Sequence, residues 1–325
     1  MKIMKILIFL SALLAMACSG ESTTTLRLGH NHGETNPSHI ALMRFADEVY
    51  ERSNGYLRIQ IFPNGVLGDD RSMTEQTQQG ILDIVRANSA VLENFDSQYS
   101  IFSLPYLFSS HEQFIRALES NTMQQIYDRS ATVSGLRGLT YQDTGVRSFY
   151  MVDGPVNVPE DLAGRRVRIL PSRNFIEMMN IMGAVSTPIP FGEVFTALQA
   201  GVIDGAENNI QALTLDMHGE VAKFYSLTEH LRLPDFIVMN ENRFNRLSAE
   251  HQQIILTAAR NSTTYHNQLW GQALANARRI AENDMGVQIN TVNQQAFIDR
   301  IGVIYEQFNR EHPEHYATMR RLQQY

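Results

Sequence analysis

Pro190-Phe191-Gly192-Glu193-Val194-Phe195-Thr196-Ala197-Leu198-Gln199-Ala200-Gly201-Val202-Ile203-Asp204-Gly205-Ala206-Glu207-Asn208-Asn209 decides the fold class. Val194, Phe195 and Leu198 share one helical stripe, and Gly201 stands where a left-handed residue closes a helix. Val202 and Ile203, both β-branched, then predict a brief strand running through Asp204 into a polar cluster that ends at Asn209. A short helix stopped by glycine and feeding such a strand is an α/β unit. In open α/β sheets ligands bind outside the carboxyl ends of the strands, so this polar rim is a candidate site.

The device occurs twice. Gln79-Gly80-Ile81-Leu82-Asp83 repeats the order of Ala200-Gly201-Val202-Ile203-Asp204. Around the first copy the pattern predicts a strand at Leu26–Gly29, a helix opened by Pro37, and a strand at Leu57–Phe62. A helix started by Asp69 and Asp70 then ends at Gly80, before a strand at Ile81–Val85. Around the second it predicts a strand at Arg166–Leu170, a helix capped by Ser172 and stopped by Gly183, and a strand at Ala184–Pro188. The quoted helix and the strand Val202–Asp204 complete it. Two β-α-β-α-β units more than a hundred positions apart suit two similar α/β lobes with mostly parallel sheets, because helical crossovers join parallel strands. From Ser248 to about Asn283 no proline interrupts a helical pattern. At ~1.5 Å per residue that helix is about 50 Å long, enough to brace both lobes. Gln295–Arg310 and Pro313–Leu322 read as two further helices packed outside.

Composition narrows the function. Of 325 residues, 43% are hydrophobic and 19% charged, an ordinary globular balance, and the length suits two domains. A formal charge of −7 and the lack of a basic tail argue against a nucleic-acid partner. Lys2 and Lys5 precede an apolar run, Ile6–Ala17, too short to span a bilayer as a mature helix and suited to a secretory signal. Cys18, the only cysteine, cannot form an internal disulfide. Following Leu14-Ala15-Met16-Ala17, it resembles the acylated residue of a bacterial lipoprotein signal; plain cleavage near Ala17 is the other reading. Residues 1–17 are then the signal and 18–24 a polar tether.

Candidate binding residues each carry a bland alternative. Arg168, near the end of its strand, and Arg147, among apolar and aromatic residues, suit a carboxylate clamp because guanidinium offers two parallel N–H donors. Both also read as surface charges. Asn208, Asn209 and Asn88 sit at strand rims, where amides read as ligand contacts or as turn residues bonding their own backbone. Phe191 reads as a packing residue or a ligand platform. His30 and His32 lie on one face if their strand continues, and with His39 they outline a metal-binding alternative, although two histidines do not complete a site. Nucleophile elbows, phosphate-cradling glycine loops and dinucleotide fingerprints are absent from the sequence, which argues against an enzyme. Asp204 and Glu207 remain imaginable as an acid–base pair, although Asp204 suits bonding to backbone amides, as does its counterpart Asp83.

The run Phe191–Asn208 resembles the DctP family, the substrate-binding proteins of tripartite ATP-independent periplasmic (TRAP) transporters. So do Leu67-Gly68-Asp69-Asp70-Arg71, Ser103-Leu104-Pro105-Tyr106-Leu107-Phe108 and Pro159–Arg168. The resemblance covers nearly all of the mature chain. It implies a type II periplasmic-binding-protein-like fold: two α/β lobes around a ligand cleft, joined by hinge strands and a long helix spanning both. Lobe I would hold 25–145 plus 233–280, and lobe II 146–232 plus 281–325. It implies a monomeric, extracytoplasmic receptor, not an enzyme and without a cofactor, that passes a small organic acid to membrane permease subunits and is tethered to a membrane through acylated Cys18. It further implies that Arg168 pairs with the ligand carboxylate, that Arg147 and Asn208 assist, and that Asn31, Asp70, Asn88 and Phe191 line the pocket. Sialic-acid-binding members carry glutamate at Asn88 and arginine at Val91, which this chain lacks. Val85–Asn88, Glu220–His230 and His32 before Gly33-Glu34-Thr35-Asn36-Pro37 are more similar to hexuronate-binding members. A hexuronate such as glucuronate or galacturonate is the expected ligand, ahead of an aldonate, 2-oxo acid or C4-dicarboxylate.

Overall fold

The computed structural model describes residues 23–325, so the predicted signal, Cys18 and most of the tether lie outside the described residues. In the first lobe β1 (Thr24–Gly29) leads into helix α1 (Pro37–Arg52), β2 (Leu57–Phe62), helix α2 (Asp70–Gln78) and β3 (Ile84–Asn88). Asn36 caps α1 through Ser38 N, with Pro37 at the first turn where its missing N–H costs nothing. Asp69 caps α2 through Ser72 N at 2.7 Å. β4 (Leu136–Gln142) follows, and the chain then crosses to the second lobe as β5 (Val146–Met151). There β6 (Arg166–Ile169), α3 (Arg173–Ile181), β7 (Val185–Pro188), α4 (Val194–Gln199) and β8 (Gly205–Asn208) repeat the first unit.

The repeat extends to sheet order. The first sheet runs β2-β1-β3-β10-β4, where β10 is Asp235–Asn240. The second runs β7-β6-β8-β5-β9-β11, where β9 is Phe224–Arg232 and β11 is Gln288–Thr291. In both, the unit's three strands are parallel, and the next strand along, β10 or β5, is antiparallel. Gly80 and Gly201 close α2 and α4 at φ +75° and +65°, and each is followed by a buried aliphatic, Leu82 or Ile203.

One expectation shifts here. The third strands are Ile84–Asn88 and Gly205–Asn208, not Ile81–Val85 and Val202–Asp204. Asp83 and Asp204 stand just ahead of them, where their carboxylates accept the backbone N–H of Arg27 and Arg166 at 2.7 Å in each lobe. The acids tie the incoming chain to the neighbouring strand, so pairing proper starts one residue later. Asp204 also pairs with the Arg166 side chain at the surface, whereas Glu207 is buried with Arg147, so the two do not form an acid–base pair.

Two antiparallel strands connect the lobes side by side. β4 and β10 pair as far as Gln142 and Asp235, and β5 and β9 resume at Val146 and Arg232. Between them lie Asp143-Thr144-Gly145 and Leu233-Pro234. Gly145 turns with φ +76°, and Thr144 Oγ1 donates to Leu233 O at 3.2 Å, binding the two crossings together. Helix α5 (Ala249–Arg279, 31 residues) packs on α1 and β4 of one lobe and on the short helix Gln211–Thr214 of the other. The segment predicted as one helix over 295–310 is two, Gln294–Ile301 and Val303–Glu311, separated at Gly302. These cover the second lobe, while Pro313–Leu322 packs on Asn121–Ser134 of the first.

Gly205 explains why a glycine opens β8: a Cβ there would stand 2.4 Å from Tyr150 O and 2.3 Å from Met151 Sδ. Gly205→Ala is expected to lower stability by about 1–3 kcal/mol through overpacking against backbone. Gly192→Ala, which meets nothing within 4 Å, leaves it unchanged. Thermal unfolding of the two variants checks the difference.

Candidate functional site

The strands place three arginines around one cavity between the lobes, and their surroundings differ. Arg86, on β3, pairs with Asp235 on β10, and both are almost fully buried. Arg147, on β5, donates Nε and Nη2 to the Glu207 carboxylate at 2.6 and 2.8 Å, Nη2 again to Glu207 O, and Nη1 to Asn208 Oδ1 at 2.7 Å. Strand register makes the two pairs counterparts. Leu28 faces Ile84 in one lobe as Val167 faces Gly205 in the other, which puts Arg86 and Glu207 at equivalent positions. Each lobe thus buries one charge on its third strand and neutralises it from the adjacent antiparallel strand.

Arg168 breaks that rule. It occupies the position held in the first lobe by Gly29, is 1% exposed, and spends only Nε on the protein, donating to Ile189 O at 2.9 Å. Its Nη2 has no partner and no carboxylate forms an ion pair with it among the described residues. Burial lowers its pKa, whereas Glu207 outweighs burial at Arg147 and raises that one. Likewise burial works against ionisation of Glu207, yet Arg147 holds its carboxyl below the usual range.

The structure brings all eight sequence-predicted residues, Arg168, Arg147, Asn208, Asn88, His32, Asn31, Asp70 and Phe191, to the lining of this cavity, whose enclosed core measures about 50 Å³. Their states are unequal. Asn88 is committed locally: its Oδ1 caps the following helix at Ala90 N, and its Nδ2 donates to Asp235. Asn31 Oδ1 accepts from Arg86. The Phe191 ring lies 5.9 Å from the Arg168 guanidinium and edge-on to His32 at 5.8 Å, so it borders the cavity while also packing on the edge of the second-lobe core.

The metal-binding alternative is corrected. β1 stops at Gly29, so His30 and His32 do not alternate as strand neighbours. His30 Nε2 bonds His39 Nδ1 at 3.0 Å and His30 Nδ1 accepts from His32 N, while the His32 ring turns to Phe191. Among the described residues the one trio whose ligand atoms converge is His312, Glu314 and His315, at the start of the C-terminal helix and not in the cavity lining.

Sequence reasoning missed Asp235, Gln211, Asp216 and Trp270, which also line the cavity, and treated Arg86 only as part of a motif. Arg86 carried a signal, a lone charge inside the apolar run Ile84–Ala87. Trp270 lies within the long helical pattern, Asp235 opens β10 and Gln211 starts a single helical turn, where nothing local marks a lining residue, and Asp216 sits in a loop without periodicity. Five buried polar atoms without partners converge here: His32 Nδ1, Asp70 Oδ1, Arg168 Nη2, Gln211 Oε1 and Trp270 Nε1. Buried polar groups are normally paired, so a cluster of unpaired ones makes this cavity the candidate ligand site. Its chemistry is mixed. Arg168 and Trp270 need acceptors, whereas Gln211 and an ionised Asp70 need donors.

Comparison with known proteins gives the family. Residues 28–311 match the family described as bacterial extracellular solute-binding protein, family 7 (DctP). A solute-binding protein of Chromohalobacter salexigens is 35% identical over 311 residues, covering 94% of this chain and 92% of that one. A TRAP periplasmic solute-binding protein from Sulfitobacter sp. NAS-14.1, solved with bound β-D-galacturonate, superposes with a TM-score of 0.90 at 32% identity, covering 93% and 100% of the two chains. Another, from Chromohalobacter salexigens with bound D-glucuronate, gives 0.89 at 33%, covering 92% and 99%.

Two carboxyls in the lining have unusual acidity. Burial pushes Asp70 and Asp216 up to about 7 each, only partly opposed by Arg86. Their folded pKa exceeds the unfolded value, so their stabilising protonation is complete below about pH 4 and is lost as pH rises through 7. The histidines act oppositely: burial lowers His30 to about 3 and His218 and His266 to about 4, which weakens the fold in acid. Comparing variants isolates the carboxyls. Asp70→Asn and Asp216→Asn should each raise the melting temperature of the ligand-free protein at pH 8 and leave it near wild type at pH 4. Calorimetric melting at both pH values is the check.

Proposed function

The chain belongs to the bacterial extracellular solute-binding proteins of family 7, receptors of TRAP transporters, and on that premise we propose that its ligand is a hexuronate such as glucuronate or galacturonate. The observation that carries this reading is the buried, unpaired Arg168 guanidinium among unpartnered donors and acceptors. A carboxylate satisfies Arg168 with charge-assisted hydrogen bonds, and sugar hydroxyls, each both donor and acceptor, suit Asp70, Gln211, His32 and Trp270. An unsubstituted C4-dicarboxylate such as succinate offers no donor to the acceptors and malate only one, and an aldonate or 2-oxo acid ranks between these and a uronate. The relatives solved with uronates support the choice.

Within the site, Arg168 takes the carboxylate from its open side, and the face of Phe191 bounds the sugar ring. Arg147 has four of its five N–H groups engaged by Glu207 and Asn208, so its part is one remaining donor and the placing of Asn208. Asn208 spends its Oδ1 on Arg147 and on Asn209 N, which leaves Nδ2 for a ligand hydroxyl. Asn31 and Asn88 shape the floor through their bonds to Arg86 and Asp235. Residues 25–145 plus 233–280 and residues 146–232 plus 281–325 form the two lobes, with the last helix reaching back to the first. They rotate about the paired crossings at 143–145 and 233–234 to enclose the ligand. The receptor acts as a monomer, without catalysis or a cofactor, and is held at a membrane by acylation of Cys18.

Titration calorimetry tests the central claim. Wild type should bind glucuronate or galacturonate stoichiometrically without turning it over, and Arg168→Ala should lose about 2–5 kcal/mol, more than tenfold in affinity. Unchanged affinity would remove Arg168 from the site. For the anchor, Cys18→Ser should abolish metabolic labelling by palmitate and release the protein from membranes; label retained in that variant would refute acylation there.

A further inference from the structure

Phe191 divides the approaches to the cavity. On one side Arg168, Asp70 and Phe191 border a cleft of about 450 Å³. On the other, Asp216, His218 and Phe191 border one of about 350 Å³. Arg168 does not line the second and Asp216 does not line the first, yet both line the cavity joining them. Asp216 therefore faces a ligand from the end remote from Arg168. It follows the short helix Gln211–Thr214 and stands beside Met217, whose φ of +61° turns the loop.

Of the other carboxylates at the cavity, Asp235 is answered by Arg86 and Asn88 and Glu207, behind the lining, by Arg147, while Asp70 has an unpartnered Oδ1 but lies on the Arg168 side of Phe191. Asp216 is not answered. Burial and the field of Arg86 are the influences on it, with no hydrogen bond to its carboxyl. Because Arg86 is already paired with Asp235, no free cation remains at that end among the described lining residues.

We propose that Asp216 forms a hydroxyl-reading subsite that limits the ligand to a single carboxylate, with the acid group at Arg168 and the polyol end at Asp216. This rests on reading the cavity as a sugar-acid site. A carboxylate oxygen accepts hydrogen bonds and donates none when ionised, so hydroxyls at the far end are welcomed. A second carboxylate there would set two anions together in a partly desolvated space with no donor between them, and like charges at such contacts are strongly penalised. The site accordingly takes uronates and refuses the corresponding sugar diacids. An open, acceptor-only carboxylate at this place acts by exclusion as much as by attraction.

Calorimetry at pH 8 with glucuronate and glucarate tests this: glucarate carries a second carboxylate at C1 and is therefore also open-chain, so the change that Asp216→Asn makes in their ratio isolates the charge. Wild type should bind glucuronate at least about tenfold more tightly than glucarate, a margin set by like-charge repulsion. Asp216→Asn keeps the shape, removes the charge and supplies a donor, so it should narrow the ratio to about threefold or less, chiefly by tighter glucarate binding. A wild-type ratio below tenfold, or a ratio unmoved by Asp216→Asn, overturns the subsite while glucuronate binding leaves the uronate reading standing. If wild type binds glucuronate not at all, both fall. Asp70→Asn, on the Arg168 side of Phe191, should leave the ratio near its wild-type value; narrowing it as Asp216→Asn does would also overturn the assignment to Asp216.

Discussion

A buried positive charge without a negative partner is the constraint around which the molecule is arranged. Burying an ion costs several kcal/mol after relaxation, and proteins offset this with a counter-ion held by further hydrogen bonds. Arg86 and Arg147 follow that rule through Asp235 and Glu207. Arg168 does not, although it is as deeply buried as either. Among the described residues nothing offsets that burial at its Nη2, which makes it a cost carried by the fold. Asp70 and Asp216 carry a related cost, each held by burial above the usual carboxylate range.

The fold was more legible in the sequence than the site. Glycines at 80 and 201 punctuate both units because only a left-handed residue closes those helices cheaply, and that signal is local. The onset of β3 and β8 was misplaced because Asp83 and Asp204 act across the sheet, on Arg27 and Arg166, and no local pattern reveals a cross-strand bond. His30 and His32 misled for a related reason: alternation holds only while a strand lasts, and this one ends at Gly29. Arg168 was found from its place near the end of a strand and from family resemblance. That it would be unpaired, and Arg147 paired, depends on Glu207, sixty positions from Arg147 and in contact only through the antiparallel pairing of β5 with β8. Asp216 lies in an aperiodic loop, where sequence carries no geometric information.

The lobes are related by more than their order of elements. Equivalent third-strand positions carry opposite charges, Arg86 in one and Glu207 in the other, and each is answered from the neighbouring strand. A shared framework has thus been kept while its electrostatics were inverted. The position held by Gly29 in the first lobe is held by Arg168 in the second, and there the symmetry of paired charges breaks.

Trp270 has a consequence of its own. It is the sole tryptophan of the chain, it lines the cavity with its indole N–H unpaired, and it stands within 3.4 Å of where a side chain on Gly145 would begin. The same ring therefore borders both the cavity and the lobe crossing. Tryptophan emission, excited apart from the tyrosines, reports from that single point, so an optical gauge of the cavity and the crossing is built into the chain and needs no attached dye.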